Sequence, residues 1–138
     1  MSIEIHAFIK KANVPSREDW QKSIEESGYK MSLDEDLKAF ESSGFVPCKL
    51  DDIESGFEIN YETTETYIET YPTIKEKLTD QDYCITFRLG SSTDEYTCVL
   101  IASLALLRTK DAIIYDPADD MFYTQKQLED DIAQCVKK

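Results

Sequence analysis

Residues Ser91–Asp111 read SSTDEYTCVLIASLALLRTKD, and this stretch decides the architecture. Ser92 and Glu95 have the spacing of a capping box at a helix start. Arg108 and Lys110 suit the last turn, where cations meet the negative end of the helix dipole. Between these ends, the residues from Cys98 to Leu107 are apolar almost all round. A surface helix keeps a polar face, so this one is expected to be buried on nearly every side, with Leu100, Ile101, Leu104 and Leu107 in the core. It reads as a central helix laid across a sheet.

The flanking segments supply that sheet and its other helices. Ile3 and Ile5 alternate with Glu4 and His6 in a first strand that continues through Phe8 and Ile9. In PSREDWQKSIEESG, Ser16 is a candidate N-cap, Trp20 and Ile24 share a face, and Gly28 stops the helix. SLDEDLKAFESSG repeats the pattern: Ser32 and Glu35 predict a second capping box, Leu33, Leu37 and Phe40 a buried stripe, and Gly44 its end. FVPCKL predicts a short strand, with Pro47 suited to an edge. Residues 56–62 predict another strand, followed by an exposed acidic segment that is partly helical, with Pro72 as an interruption. QDYCITFRLG is the clearest strand, placing Tyr83, Ile85, Phe87 and Leu89 on one side and Cys84, Thr86 and Arg88 on the other. AIIYDP and MFYT form a hairpin around ADD. The last helix opens with a capping box at Thr124 and Gln127 and buries Leu128, Ile132 and Val136. No repeat or linker divides the chain, so residues 1–138 predict one α+β domain: a largely antiparallel sheet with a buried central helix and flanking helices.

Charge narrows the function classes. Twenty-eight acidic residues against 15 basic ones leave a net charge of -13. Such a surface repels phosphate backbones and anionic membranes and favours encounter with a basic protein. The opening MSIEIHAFIKKANVPS places its lysines after the apolar run, which is not the order of a secretory signal. No apolar run spans a bilayer. A cytoplasmic protein is therefore expected, with Cys48, Cys84, Cys98 and Cys135 reduced and packed in the core. They form no Cys-x-x-Cys pair and are accompanied by a single histidine, which argues against zinc.

Candidates for catalysis are few. His6 has no serine elbow near it, and a cysteine–histidine pair would have to meet across distant segments. Glycines are too few and too scattered to cradle phosphate. Asp116, Asp119 and Asp120 in YDPADD could hold magnesium or calcium through oxygen ligands. The same residues are also what a hairpin turn uses to cap its own amides.

SGFVP (Ser43–Pro47), SGFE (Ser55–Glu58), FRLGSSTDE (Phe87–Glu95) before the apolar helix, and IIYDP (Ile113–Pro117) before the last one form a pattern that resembles small acidic bacterial immunity proteins, the cognate inhibitors of secreted or contact-delivered toxins. The resemblance covers about residues 43–130. In that pattern a glycine stands where this chain reads Thr109-Lys110-Asp111. It implies a binding protein without cofactor.

Physical chemistry points to where a basic partner would sit. GFEINYETTETYIETYP (Gly56–Pro72) carries three tyrosines and four glutamates but no lysine or arginine. Carboxylates pair with cations meant for phosphate, and tyrosines supply contact area at low entropic cost. Glu58, Tyr61, Glu62, Glu65, Tyr67, Glu69 and Tyr71 are the expected contacts, with Asp119 and Asp120 as a second edge. Amphipathic packing at a sheet margin is the competing explanation of the tyrosines. Two other functions stay open: an acidic mimic of DNA that inhibits a nucleic-acid enzyme, and a small metal-dependent enzyme centred on Asp116, Asp119 and Asp120.

Overall fold

The computed structural model describes residues 3–136, without the side chain of Val136, so the expected burial of Val136 lies outside the described residues. Alternation makes β1 (Ile3–Ile9) a strand with two buried faces: Ile5, Ala7 and Ile9 point to one layer, His6 and Phe8 to the other. It lies inside a seven-stranded sheet formed with β2 (Met31–Leu33), β3 (Gly44–Leu50), β4 (Ile53–Thr63), β5 (Tyr83–Leu89), β6 (Ile113–Asp116) and β7 (Met121–Tyr123). The order is β2-β3-β4-β5-β1-β6-β7, and every neighbouring pair is antiparallel. The fold is α+β.

Across the inner face of the sheet lies α4 (Thr93–Lys110), flanked by α1 (Arg17–Glu26) and α5 (Gln125–Val136). Thr97 to Leu106 form an unbroken run of buried residues, as the absence of a polar face predicted. The threonines are satisfied locally: Thr97 and Thr109 donate their hydroxyls to the carbonyls one turn earlier, at 2.8 and 2.7 Å. Trp20 of α1 is buried against α4 and donates its indole N–H to the Ala102 carbonyl at 3.1 Å. The helix ends at Asp111, which holds a left-handed conformation (φ 56°). Glycine is the usual residue at this position, and aspartate is among the few others that tolerate it. Among the described residues, no helix is long and apolar enough to cross a membrane.

Several expected details are borne out. The Ser16 hydroxyl caps α1 by accepting from the Asp19 amide, and Gly28 (φ +92°) takes the chain out of the helix. Thr124 and Gln127 form a reciprocal capping box before α5, whose Leu128 and Ile132 are buried. Pro47 sits where β3 runs past the end of β2, since β2 stops opposite Cys48, so its missing N–H is not needed for pairing.

Other expectations are corrected. Residues 32–44 form no helix: Ser32 lies in β2, where it pairs with Lys49. The reason is a long-range substitute strand. The Gln21 side chain donates to the Met31 carbonyl at 2.8 Å and accepts from the Leu33 amide at 2.7 Å. Arg17 holds the carbonyls of Leu33 and Asp34. These bonds close the outer edge of β2, which would otherwise invite another chain. Leu33 and Leu37 are buried as expected, but Phe40 (φ 69°) is partly exposed and packs its ring against Tyr61 and Tyr83. Ser92 and Glu95 do not form their box. Glu95 instead accepts from the Gly90 amide at 2.8 Å, tying the end of β5 to the start of α4. Leu107 and Cys135 are half-buried rather than core residues, while Cys48, Cys84 and Cys98 are buried, and all four cysteines are free.

Leu104, 1% exposed, lies midway along the buried run of α4. Leu104→Ala is expected to cost about 2–5 kcal/mol in a urea melt, because a cavity there is walled on all sides. A loss below about half a kilocalorie would mean that the helix is not enclosed.

Candidate functional site

The outer face of the sheet, opposite α4, is covered only in part. α2 (Glu65–Ile68) and α3 (Pro72–Lys77) lie over its β1–β6 half, where Phe8, Cys84, Tyr115 and Ile74 form a second, smaller core with Tyr67 and Tyr71. The other half is open. Register lines up three rows of side chains across β4, β5 and β1: Glu58, Arg88 and Glu4; Asn60, Thr86 and His6; Glu62, Cys84 and Phe8. Polarity falls from the first row, which faces solvent, to the third, which runs under the helices. A groove of about 350 Å³ opens over these rows and includes Glu4, Glu58, Glu62, Tyr67 and Arg88 in its walls.

One connected set of hydrogen bonds holds the groove. Tyr67 OH donates to Glu62 Oε2 at 2.8 Å and stands 2.7 Å from Thr86 Oγ1, which is 3.0 Å from His6 Nδ1. Because Tyr67 gives its only proton to the carboxylate, Thr86 must donate to Tyr67, and His6 must donate from Nδ1 to Thr86. The chain of donors thus runs from His6 to Glu62, and it assigns the Nδ1–H tautomer to the buried imidazole. Asn60 Nδ2 donates to the other Glu62 oxygen at 3.2 Å. Glu62 is therefore fixed by two neutral donors, and among the described residues no cation pairs with it. Glu4 differs: Oε2 pairs with Arg88 at 3.1 Å, and Oε1 lies 3.4 Å from His6 Nε2.

Beside the groove, Phe45 of β3 is 65% exposed, the most exposed large apolar side chain among the described residues. It pairs with Glu58 in register, and its ring leans over Gly56, where an added Cβ would meet the ring at 2.3 Å. The missing side chain at Gly56 leaves the space that this ring occupies.

The residues expected to contact a partner are separated into distinct places. Glu58 and Glu62 lie in the groove. Tyr61 turns to the inner face and is only 9% exposed, because strand alternation carries it to the side opposite Glu62. The extended period ends at Thr63, after which α2 brings Tyr67 and Tyr71 back over the outer face, one helical turn apart. Their rings pack on His6, with centroids at 4.6 and 6.1 Å, so these tyrosines are largely engaged within the molecule. Pro72 opens α3 rather than interrupting a helix. Glu65 and Glu69 are exposed along α2. The two expected edges meet: Asp120 accepts from Thr73 of α3 at 2.8 Å and from Tyr115 at 2.6 Å, while Asp119 is exposed beside it. These two hydroxyl donors hold the Asp120 carboxyl below its ordinary value, and burial with the same contact pushes Tyr115 up to about 12.

Asp116 uses a carboxylate oxygen to cap the Ala118 amide at 3.0 Å, as a turn aspartate does. Among the described residues, no three His, Cys, Asp or Glu side chains converge as a metal site would require. Cys84 Sγ does come within 3.9 Å of His6 Nδ1. Burial pushes that thiol up and that imidazole down, so both groups stay neutral, the reverse of an activated thiolate pair. His6, Thr86, Asn60, Glu4, Arg88 and Phe45 were not foreseen as one constellation. Apart from Phe45, their common signal is polar residues on the even-numbered positions of β1, β4 and β5, which acquires meaning only once the register is known. No family model, no curated protein and no solved structure matches this chain.

His6, the single histidine, gives a direct readout of the groove. Burial lowers its pKa from 6.5 to about 4, with Arg88 adding to the effect and Glu4 and Glu62 opposing it. The unfolded chain takes up this proton near 6.5 but the folded one only near 4, so stability falls as pH drops through that window. The full penalty, about 3 kcal/mol, is reached below the folded value. Imidazole NMR signals should report a neutral Nδ1–H ring at pH 6 that titrates near 4. Titration near 6.5 would mean that the groove floor is wet.

Proposed function

We propose that this chain is an immunity-type binding protein of the cytoplasm, which neutralises a basic toxin domain by occupying its cationic surface. The supporting observation is Glu62. Half-buried, held by Tyr67 and Asn60, and lacking a cation among the described residues, it is a prepared acceptor for an incoming arginine or lysine. Preorganisation matters here because a carboxylate already fixed in place loses little side-chain freedom on binding. Glu58 stands on the same strand, Phe45 offers an aromatic anchor beside it, and Glu65, Glu69, Asp119 and Asp120 extend the acidic rim. The net charge of -13 would draw a basic partner toward this face.

The two kinds of contact have separable signatures. Glu65→Lys with Glu69→Lys should slow association and weaken its salt dependence, since rim charges steer encounter. Glu62→Gln, which keeps shape and removes charge, should speed dissociation and raise Kd about tenfold or more. Surface plasmon resonance against a toxin domain encoded beside this gene checks both. Wild-type kinetics in both variants would remove this face from the interaction.

A further inference from the structure

The hydrogen-bonded chain that fixes Glu62 ends at His6, whose far nitrogen is left over. The ring is 0% exposed, yet among the described residues Nε2 has no hydrogen-bond partner. With the proton on Nδ1, Nε2 and Glu4 Oε1 are two acceptors 3.4 Å apart with no hydrogen between them. An unpaired buried acceptor is costly, and the direction of the chain is what leaves it so. That direction is set at the other end, where Tyr67 gives its proton to Glu62 because the carboxylate is charged. A protonated Glu62 donates to Tyr67 instead, Tyr67 then donates to Thr86, and Thr86 to Nδ1. Nε2 is then the nitrogen that carries hydrogen, and it donates to Glu4. Each hydrogen moves across one bond, and the reversed chain holds one proton more than the resting one. Each state has a single defect: an unpaired Nε2 in the first, a neutralised carboxylate in the second.

We propose that the chain from His6 to Glu62 is a two-state switch, in which uptake of one proton reverses every bond and withdraws Glu62 and Glu4 together from the groove. The inference rests on the reading of this groove as a cation site, and names its regulation. In the resting state Glu62 is charged and Glu4 Oε1 has no donor among the described residues, so both can accept from an arriving cation. In the reversed state both are taken. Cation and proton therefore exclude one another, each weakening the binding of the other. The groups around the ring leave these two carboxylates as the ends of the switch. Arg88 on β5 stays cationic on the other Glu4 oxygen. Burial pushes the Cys84 thiol of β5 and the Tyr67 phenol of α2 up, so neither gives up a proton to the chain. Tyr71, where α3 begins, and Tyr115 of β6 meet the imidazole with their rings.

The test reads the tautomer of His6, the single histidine, by imidazole nitrogen NMR on the isotope-labelled full-length protein at neutral pH. Wild type should carry its proton on Nδ1. In Glu62→Gln, Asn60 holds the amide oxygen and leaves the amide nitrogen to Tyr67, which is the donor the reversed state needs. The ring should switch to Nε2–H, although the substitution stands three hydrogen bonds away. Thr86→Val cuts the chain, so with it in place the tautomer should be the same whether residue 62 is glutamate or glutamine. A ring that stays Nδ1–H in Glu62→Gln, or that still responds to residue 62 in the Thr86→Val background, would overturn the proposal. Should either variant fail to fold, wild type carried into acid decides: a neutral Nε2–H ring supports the switch, and an imidazolium overturns it. No partner enters this measurement, so its failure leaves the binding reading standing, and failure of partner binding leaves the switch standing.

Discussion

A helix with no polar face must be enclosed, and the rest of this molecule follows from enclosing α4. Ten consecutive residues of it, Thr97 to Leu106, are buried. Each large aliphatic side chain among them contributes about 1.5–3 kcal/mol on leaving water, so no arrangement that exposes one flank competes. A single sheet covers only one side. The chain supplies the others with α1 and α5, and the Trp20 indole and the Lys110–Asp19 ion pair at 2.6 Å bind α1 along the helix. The exposed ion pair contributes little on its own; the packing of Trp20 does most of the holding.

This enclosure commits all three long helices to one face and leaves the other with only α2 and α3. The short helices are fastened by aromatic stacking on His6 and by the Thr73–Asp120 bond. Their partial cover divides the outer face into a dry half and a wet half. Glu62 lies at the boundary, where its surroundings are dry enough to fix its donors and wet enough for a partner to arrive. A prepared carboxylate on a rigid sheet, with an aromatic alongside, is what the proposed recognition of a cationic surface would use.

What could be read from the residues alone was whatever depends on neighbours along the chain. The capping serine of α1, the reciprocal box at Thr124 and Gln127, the hairpin around Ala118 and the apolar run of α4 are all local. Residues 32–44 misled because the helical spacing of Leu33 and Leu37 is also satisfied by a short strand and a turn. What selects the strand is the Gln21 amide, ten and twelve residues away. The tyrosines misled for a related reason. Odd numbering places Tyr61 and Tyr67 on one side only while the chain stays extended, and α2 breaks that period between them. The groove itself was hidden in register: Arg88 stands between Glu58 and Glu4 because β5 pairs with both β4 and β1.

Acidic residues are spread over much of this surface, yet the proposed function places a basic ligand on the outer face alone. An NMR titration of the isotope-labelled protein with a short arginine-rich peptide decides this residue by residue. Shifts concentrated at Glu58, Asn60, Glu62, Tyr67 and Arg88, with the His6 ring signals moving in step, are the predicted result. Shifts spread evenly over the acidic residues of α1, α5 and residues 34–36, with His6 unchanged, would contradict it.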